Sequence, residues 1–253
     1  MPDMQDHTLK GSLASAISQT LSLCLMGAIL ALAPVASALP IIEWDIAGSD
    51  GQSASVLSSV ADVSGTDLTP VNVTPWSGGY CCFTAAADWG TSSAAPDLSR
   101  YYEFSVTAGA GHSIVYEDIT LSLFRGIQAP DHGAQLWQLR SSHDGYASQV
   151  ASFDITSSGA DEQTLFSVVD ISAVGTQPGT VTFRLYGYDY TSPIDFSGLG
   201  NQPGPGGTRS EPLTGTGSNL IVGGVVVPEP ETLAQIGLGL AMLALAGGRR
   251  FSR

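Results

Sequence analysis

Two uninterrupted apolar runs, Leu21 to Val35 and Thr232 to Gly248, bracket a long region whose apolar residues are spaced differently. After Leu39 no stretch keeps a helical period for long. Several segments alternate apolar and polar residues instead, as half-buried strands do. Ile41 to Ile46 opens this region, with Trp44 on an alternating run. Tyr102, Phe104 and Val106 alternate with Glu103, Ser105 and Thr107, and Gly109-Ala110-Gly111 ends the run. Ser113 to Arg125 reads as a longer strand with a fault in parity. Ile114 and Tyr116 fall on even positions and Ile119, Leu121 and Leu123 on odd ones, so one inward face requires a bulge at Glu117-Asp118. Ala134 to Arg140, Gln149 to Ile155, Thr164 to Ile171 and Asn219 to Val227 read as further strands. Thr180 to Tyr188 alternates most clearly, with Val181, Phe183, Leu185 and Gly187 inward. Asp50 to Pro75 reads as weak strands and loops, Trp76 to Pro96 as a long loop or irregular edge, and Ser192 to Gly217 as a Pro/Gly loop. Short strands about ten residues apart, with turn residues between them, predict an all-β fold: an antiparallel β-sandwich, jelly-roll-like.

The bracketing runs are of another kind. Leu21 to Val35 is followed by Ala36-Ser37-Ala38, the small-residue pattern at which signal peptidase cuts. Residues 1–38 therefore read as an export signal, although Lys10 is the only basic residue ahead of the run and Asp3 and Asp6 oppose it. Thr232 to Gly248 carries no charge. As a helix it spans about 25 Å, the short end of what crosses a bilayer. It is too uniformly apolar for an amphipathic core helix. Arg249 and Arg250 follow as a stop-transfer cluster, which leaves the C-terminus in the cytoplasm and the residues before 228 outside.

Pro228-Glu229-Pro230 stands just ahead of that run. In order, spacing and position, the motif, the apolar segment and the terminal arginines resemble the PEP-CTERM sorting signal of bacterial exported proteins. The resemblance implies that Pro228, Glu229 and Pro230 are read by an exosortase, a membrane enzyme similar to cysteine proteases that cuts near the motif. It also implies transient anchoring in the inner membrane, then residence at the cell surface or outside, in bacteria that make extracellular polysaccharide. Tyr101 to Val106, Trp137 to Tyr146 and Val181 to Tyr188 resemble the β-rich body of such proteins, over roughly residues 42 to 226. That likeness implies a sandwich and assigns no reaction. The expected organisation is residues 1–38 as signal, 39–226 as body and 227–253 as sorting segment.

Composition narrows the partners. From Leu39 to Val227, five arginines and no lysine face nineteen acids, a net charge of −14. Nucleic acid and anionic lipid both call for a cationic surface, so neither fits. Solubility outside the cell accounts for the acids; divalent-cation binding is the alternative. Cys81 and Cys82 are adjacent in a chain bound for an oxidising compartment. A strained vicinal bridge, a bridge to another chain and two buried thiols all remain open.

Candidate chemistry is sparse. Ser142, His143 and Asp144 sit side by side, but consecutive strand residues point to opposite faces and cannot form a triad. Asp144-Gly145 reads as a turn in which Asp144 bonds local amides. Calcium, which takes loop oxygen ligands, would draw on Asp131 and Asp144, though no D-x-D-x-D-G loop is present. The strand face opposite Val181 and Phe183 carries Arg184, Tyr186, Tyr188 and Tyr190. A row of tyrosines beside an arginine could stack sugar rings and hydrogen-bond their hydroxyls. The competing reading is a face covered by the fold, or ordinary cross-strand pairs. The expectation is a non-catalytic surface or matrix protein, structural or adhesive within polysaccharide, with exosortase and signal peptidase as partners and no required cofactor. The alternatives are a secreted carbohydrate-active enzyme, which needs two carboxylates about 5–10 Å apart, and a calcium-dependent carbohydrate-binding module.

Overall fold

The computed structural model describes residues 38–46, 48–49, 51–75, 83–90, 94–125, 133–155, 164–190, 196–200 and 219–229. By contact the chain divides into Met1–Ser37 and Ala38–Arg253, and every described residue belongs to the second unit. Its described residues are built from strands. The first five are β1 (Leu39–Trp44), β2 (Val56–Ser59), β3 (Val63–Gly65), β4 (Thr69–Val71) and β5 (Thr74–Pro75). Then come β6 (Phe83–Ala87), β7 (Tyr101–Ala108), β8 (His112–Phe124), β9 (Ala134–Ser141) and β10 (Gln149–Asp154). β11 (Thr164–Asp170), β12 (Thr176–Pro178), β13 (Thr180–Tyr190), β14 (Ser197–Gly200) and β15 (Leu220–Pro228) complete the set. Two short 3-10 turns, Ser142–Asp144 and Ser172–Val174, are the helical elements among the described residues.

The strands form two antiparallel sheets. β8 is the spine of the larger. Along one edge it pairs with β15 and then β14; along the other it pairs with β12 and then β11. β15 pairs onward with β1 and β1 with β2, while β14 pairs with β6 and β6 with β5. The smaller sheet runs β10-β9-β13-β7, with β3 and β4 sharing the outer edge of β7.

The parity fault in β8 is resolved as the pattern requires. Gly223 of β15 faces Asp118 and Gly224 faces Tyr116, so Glu117 is the extra residue. Across the other edge, the Ser172–Val174 turn separates β11 from β12 at the same level, with the Ile171 amide donating to the Glu117 carbonyl (2.9 Å). Ile114, Tyr116, Ile119, Leu121 and Leu123 are all buried as a result. So are Val181, Phe183, Leu185 and Gly187 of β13.

Rings from both sheets meet in one core. Trp44 of β1 packs edge-on to Phe104 of β7 (4.9 Å), and Tyr116 of β8 meets Phe183 of β13 (5.6 Å). Phe183 also stacks on Phe104 at 5.3 Å. Such pairs add about 0.5–1.5 kcal/mol each beyond the area they bury.

Two stretches expected to be loops contain strands. Trp76 to Pro96 includes β6, and Trp89 beyond it is buried edge-on against Tyr102 (5.5 Å) and Trp137 (5.0 Å). Ser192 to Gly217 includes β14. Small residues explain both omissions. Ala85, Ala86 and Ala87 are buried, and an added Cβ on Gly198 would come 2.0 Å from the Thr84 carbonyl oxygen. Where backbones approach this closely, large alternating side chains have no room and the period-two signal fades.

Candidate functional site

The outer face of the smaller sheet collects the polar and aromatic groups. Arg184 of β13 is opposite Glu103 of β7 in register, and its Nε donates to Glu103 Oε2 at 2.8 Å. The guanidinium lies against two rings, 4.4 Å from the centre of Tyr101 and 3.9 Å from that of Tyr146. Tyr101 meets Tyr186 edge-on at 5.5 Å, with the Arg140 guanidinium 6.0 Å from the Tyr186 ring. Gln138 Nε2 donates to the Tyr188 hydroxyl (3.3 Å), and Arg140 Nη2 to Gln138 Oε1 (3.2 Å).

The candidate row of exposed tyrosines does not form, and the competing reading, a face covered by the fold, holds for Tyr186 and Tyr188. Tyr186 is 1% and Tyr188 6% exposed, and burial pushes the Tyr186 hydroxyl above the usual tyrosine range. Tyr190 leaves the row. Asp189 adopts a positive φ (56°), after which Tyr190 packs on the core and its hydroxyl donates to the Gly90 carbonyl (3.1 Å). Of the four residues Arg184, Tyr186, Tyr188 and Tyr190, Arg184 stays accessible on this face, with 26% of its side chain exposed. Half-buried Tyr101 and Tyr146 flank it. Neither was singled out in the sequence, because linking them to Arg184 requires the β7–β13 register and the turn after β9.

That turn is wired from within. Arg140 Nη1 donates to the carbonyls of Tyr146 (3.0 Å) and Ala147 (3.3 Å). Asp144 accepts the amides of Ala147 (3.1 Å) and Ser148 (2.9 Å) and also the Ser148 hydroxyl. The Ser148 hydroxyl and the two amides hold the Asp144 carboxyl below the usual range. Gly145 and Tyr146 complete the turn at positive φ (70° and 63°). Ser142 Oγ accepts the Thr182 amide (2.9 Å), tying the turn to β13. His143 Nδ1 lies 2.5 Å from the hydroxyl of Ser141, a residue with no exposed surface, so this Ser–His pair offers no nucleophile to a substrate. The adjacent Ser142, His143 and Asp144 thus serve the turn.

The larger sheet brings two carboxylates together. Asp118 of β8 and Asp170 of β11 are direct cross-strand partners beside the bulge. Burial and the Asp170 charge raise the Asp118 carboxyl above its usual range; the Ser172 side chain and amide lower that of Asp170. An added Cβ on Gly223 would lie 2.3 Å from Asp118 Oδ1, so the missing side chain makes room for the carboxylate. Among the described residues no group of three or more His, Cys, Asp or Glu could hold a metal ion. Asp131 lies outside the described residues, as do Cys81, Cys82, Pro230, Arg249 and Arg250.

The start of the Pro-Glu-Pro motif is in view. Pro228 is the last residue of β15, opposite His112, and the Glu229 amide donates to the Gly111 carbonyl at 2.9 Å. No helix among the described residues is long and apolar enough to cross a membrane; Thr232 to Gly248 lies outside them.

No family model and no curated protein matches the chain. Among solved structures it is similar to the K3 cleaved adhesin domain of Lys-gingipain from Porphyromonas gingivalis W83. The TM-score is 0.29 at 12% identity, over 64% of this chain and 91% of that one. It is also similar to the K1 cleaved adhesin domain of the same protein, with a TM-score of 0.25 at 9% identity, over 67% and 92%. Overlap of this extent specifies neither a fold family nor a role.

Proposed function

We propose that the chain is an exported, non-enzymatic β-sandwich, jelly-roll-like in kind, with a structural or adhesive role at the cell surface or within extracellular polysaccharide. Signal peptidase removes residues 1–38, the apolar segment near 232–248 holds the body briefly at the inner membrane, and an exosortase acting at Pro228-Glu229-Pro230 releases it. The observation that carries this reading is where the strands begin and end. β1 starts at Leu39, next to the Ala36-Ser37-Ala38 pattern, and β15 ends at Pro228, the first residue of the motif. The two strands are antiparallel neighbours, with Leu39 opposite Gly224. Entry to and exit from the body therefore lie about 13 Å apart along one strand pair, at about 3.3 Å per residue. Strands bounded by the two processing patterns fit a body meant to outlive both tails.

Adhesion would fall to the face that holds Arg184 between Tyr101 and Tyr146, where half-exposed rings and a fixed guanidinium suit saccharide hydroxyls and ring faces. A carbohydrate-active enzyme would draw instead on the Asp118–Asp170 pair, whose carboxyls are displaced in opposite directions. The adhesive reading is preferred because Asp170 is exposed and its Oδ1 already accepts the Ser172 amide (2.7 Å). Intact mass and fractionation of the protein from its own host test the proposal. The expected product lies outside the cell and lacks both Met1–Ala38 and the tail; a chain that keeps its C-terminus in the inner membrane would sink it.

A further inference from the structure

Resting on the sorting reading, we infer that the folded body itself sets the upstream limit of processing. The bond that is cut is Glu229–Pro230 or one beyond it, and Pro228 and Glu229 stay with the mature protein. β15 is held on both sides, by β1 from Leu220 to Gly224 and by β8 from Ile221 to Pro228. Leu220 and Val222 lie in the core, and Val226 packs against it. Among the described residues, the last amide committed to this pairing is that of Glu229, which donates to Gly111 beyond the start of β8. Proline costs the pairing little at position 228, because a strand end tolerates a residue with no N–H.

A cutting enzyme must take the residues around its target bond as an extended segment with free backbone groups. Through Gly224 those groups are paired on both edges, and from Val225 to Glu229 the edge facing β8 is still held. A cut before Pro228 would first require the strand to peel from β8, at about 0.5–1.5 kcal/mol per hydrogen bond given up. A cut farther upstream would also strip β1 and β8 of their shared neighbour and leave two bare edges. The step is hydrolysis of one peptide bond: water adds across it, the body keeps the new carboxylate and the tail keeps the new amine.

Two measurements on the full chain test this. In detergent micelles, digestion with an unspecific protease should leave a protected fragment whose last residue, by mass, is Glu229 or later. A fragment ending before Glu229 overturns the claim that the fold guards the strand. In the native host, the C-terminal peptide of the released product should likewise end at Glu229 or later, and an earlier end overturns the inference alone. A protected fragment of the expected length from a host chain that keeps its whole tail means that the sorting reading has failed, taking the processing limit with it.

Discussion

Arg184 shows how one side chain can be fixed without being buried. Glu103 accepts a hydrogen bond from its Nε–H, and Tyr101 and Tyr146 lie against the guanidinium, so its charge and orientation are both set while a quarter of the side chain meets solvent. Cation–π contacts at such partly exposed sites contribute about 0.5–1 kcal/mol each. Their larger consequence is preorganisation, since a ligand meeting this face does not have to order the side chains that receive it. Tyr186 and Tyr188 lack that access. A double substitution, Tyr101→Ala with Tyr146→Ala, should therefore weaken retention on the host polysaccharide by about fivefold or more, each ring accounting for about 0.5–1.5 kcal/mol. Tyr186→Ala would act through the fold and is the wrong probe. Affinity electrophoresis of the double variant, with circular dichroism to confirm folding, gives the answer. Unchanged retention removes this face from the adhesive reading.

At the level of elements, what could be read in the chain depended on side-chain size. β8 and β13 were legible down to the bulge at Glu117 because large apolar residues change parity there and only one register keeps them inside. β6 and β14 were not, because Leu199 is the one large side chain at their described buried positions and the others hold alanine, glycine, serine or threonine. Tyr190 was placed wrongly for a related reason: alternation groups it with Tyr186 and Tyr188, but the positive φ of Asp189 is invisible to it. The Arg184 cluster was half legible, since β13 announced its own outer face while Tyr101 and Tyr146 arrive through pairing and a distant turn. β14 offers a direct check. Gly198→Ala would drive a methyl group into the Thr84 carbonyl, a backbone atom that cannot swing aside, and force β14 from β6. Overpacking of this kind costs about 1–3 kcal/mol. Urea denaturation should show a lowered midpoint with an unchanged slope, and an unaltered midpoint would mean that β14 is not packed as described.

For the molecule as a whole, the excess of acids makes stability a question of pH. Asp97 and Asp144 are held below the usual carboxylate range chiefly by the side chains of Ser99 and Ser148, and Asp170 by that of Ser172. Between the folded and unfolded pKa of such a group the unfolded chain binds more protons. The stability these three contribute is thus present above an unfolded value of about 3.9 and is lost as pH falls through their folded values. Asp118 works the other way. Burial and the facing Asp170 raise its folded pKa, so its favourable contribution is full below the unfolded value and lost as pH rises through the folded one. A net charge of −14 at neutral pH adds self-repulsion with the same sign as Asp118. Thermal unfolding should accordingly peak at mildly acidic pH, with a lower midpoint at pH 7 and a steep loss below about pH 4. Asp118→Asn isolates one contributor. Relieving a like-charge cross-strand pair is worth about 0.2–1 kcal/mol, so the variant should melt up to about 4 °C higher at pH 7. Once acid protonates Asp118 in the parent, the advantage should vanish. An equal gain at pH 7 and pH 3.5 would show that the aspartate is disfavoured for its shape and not for its charge.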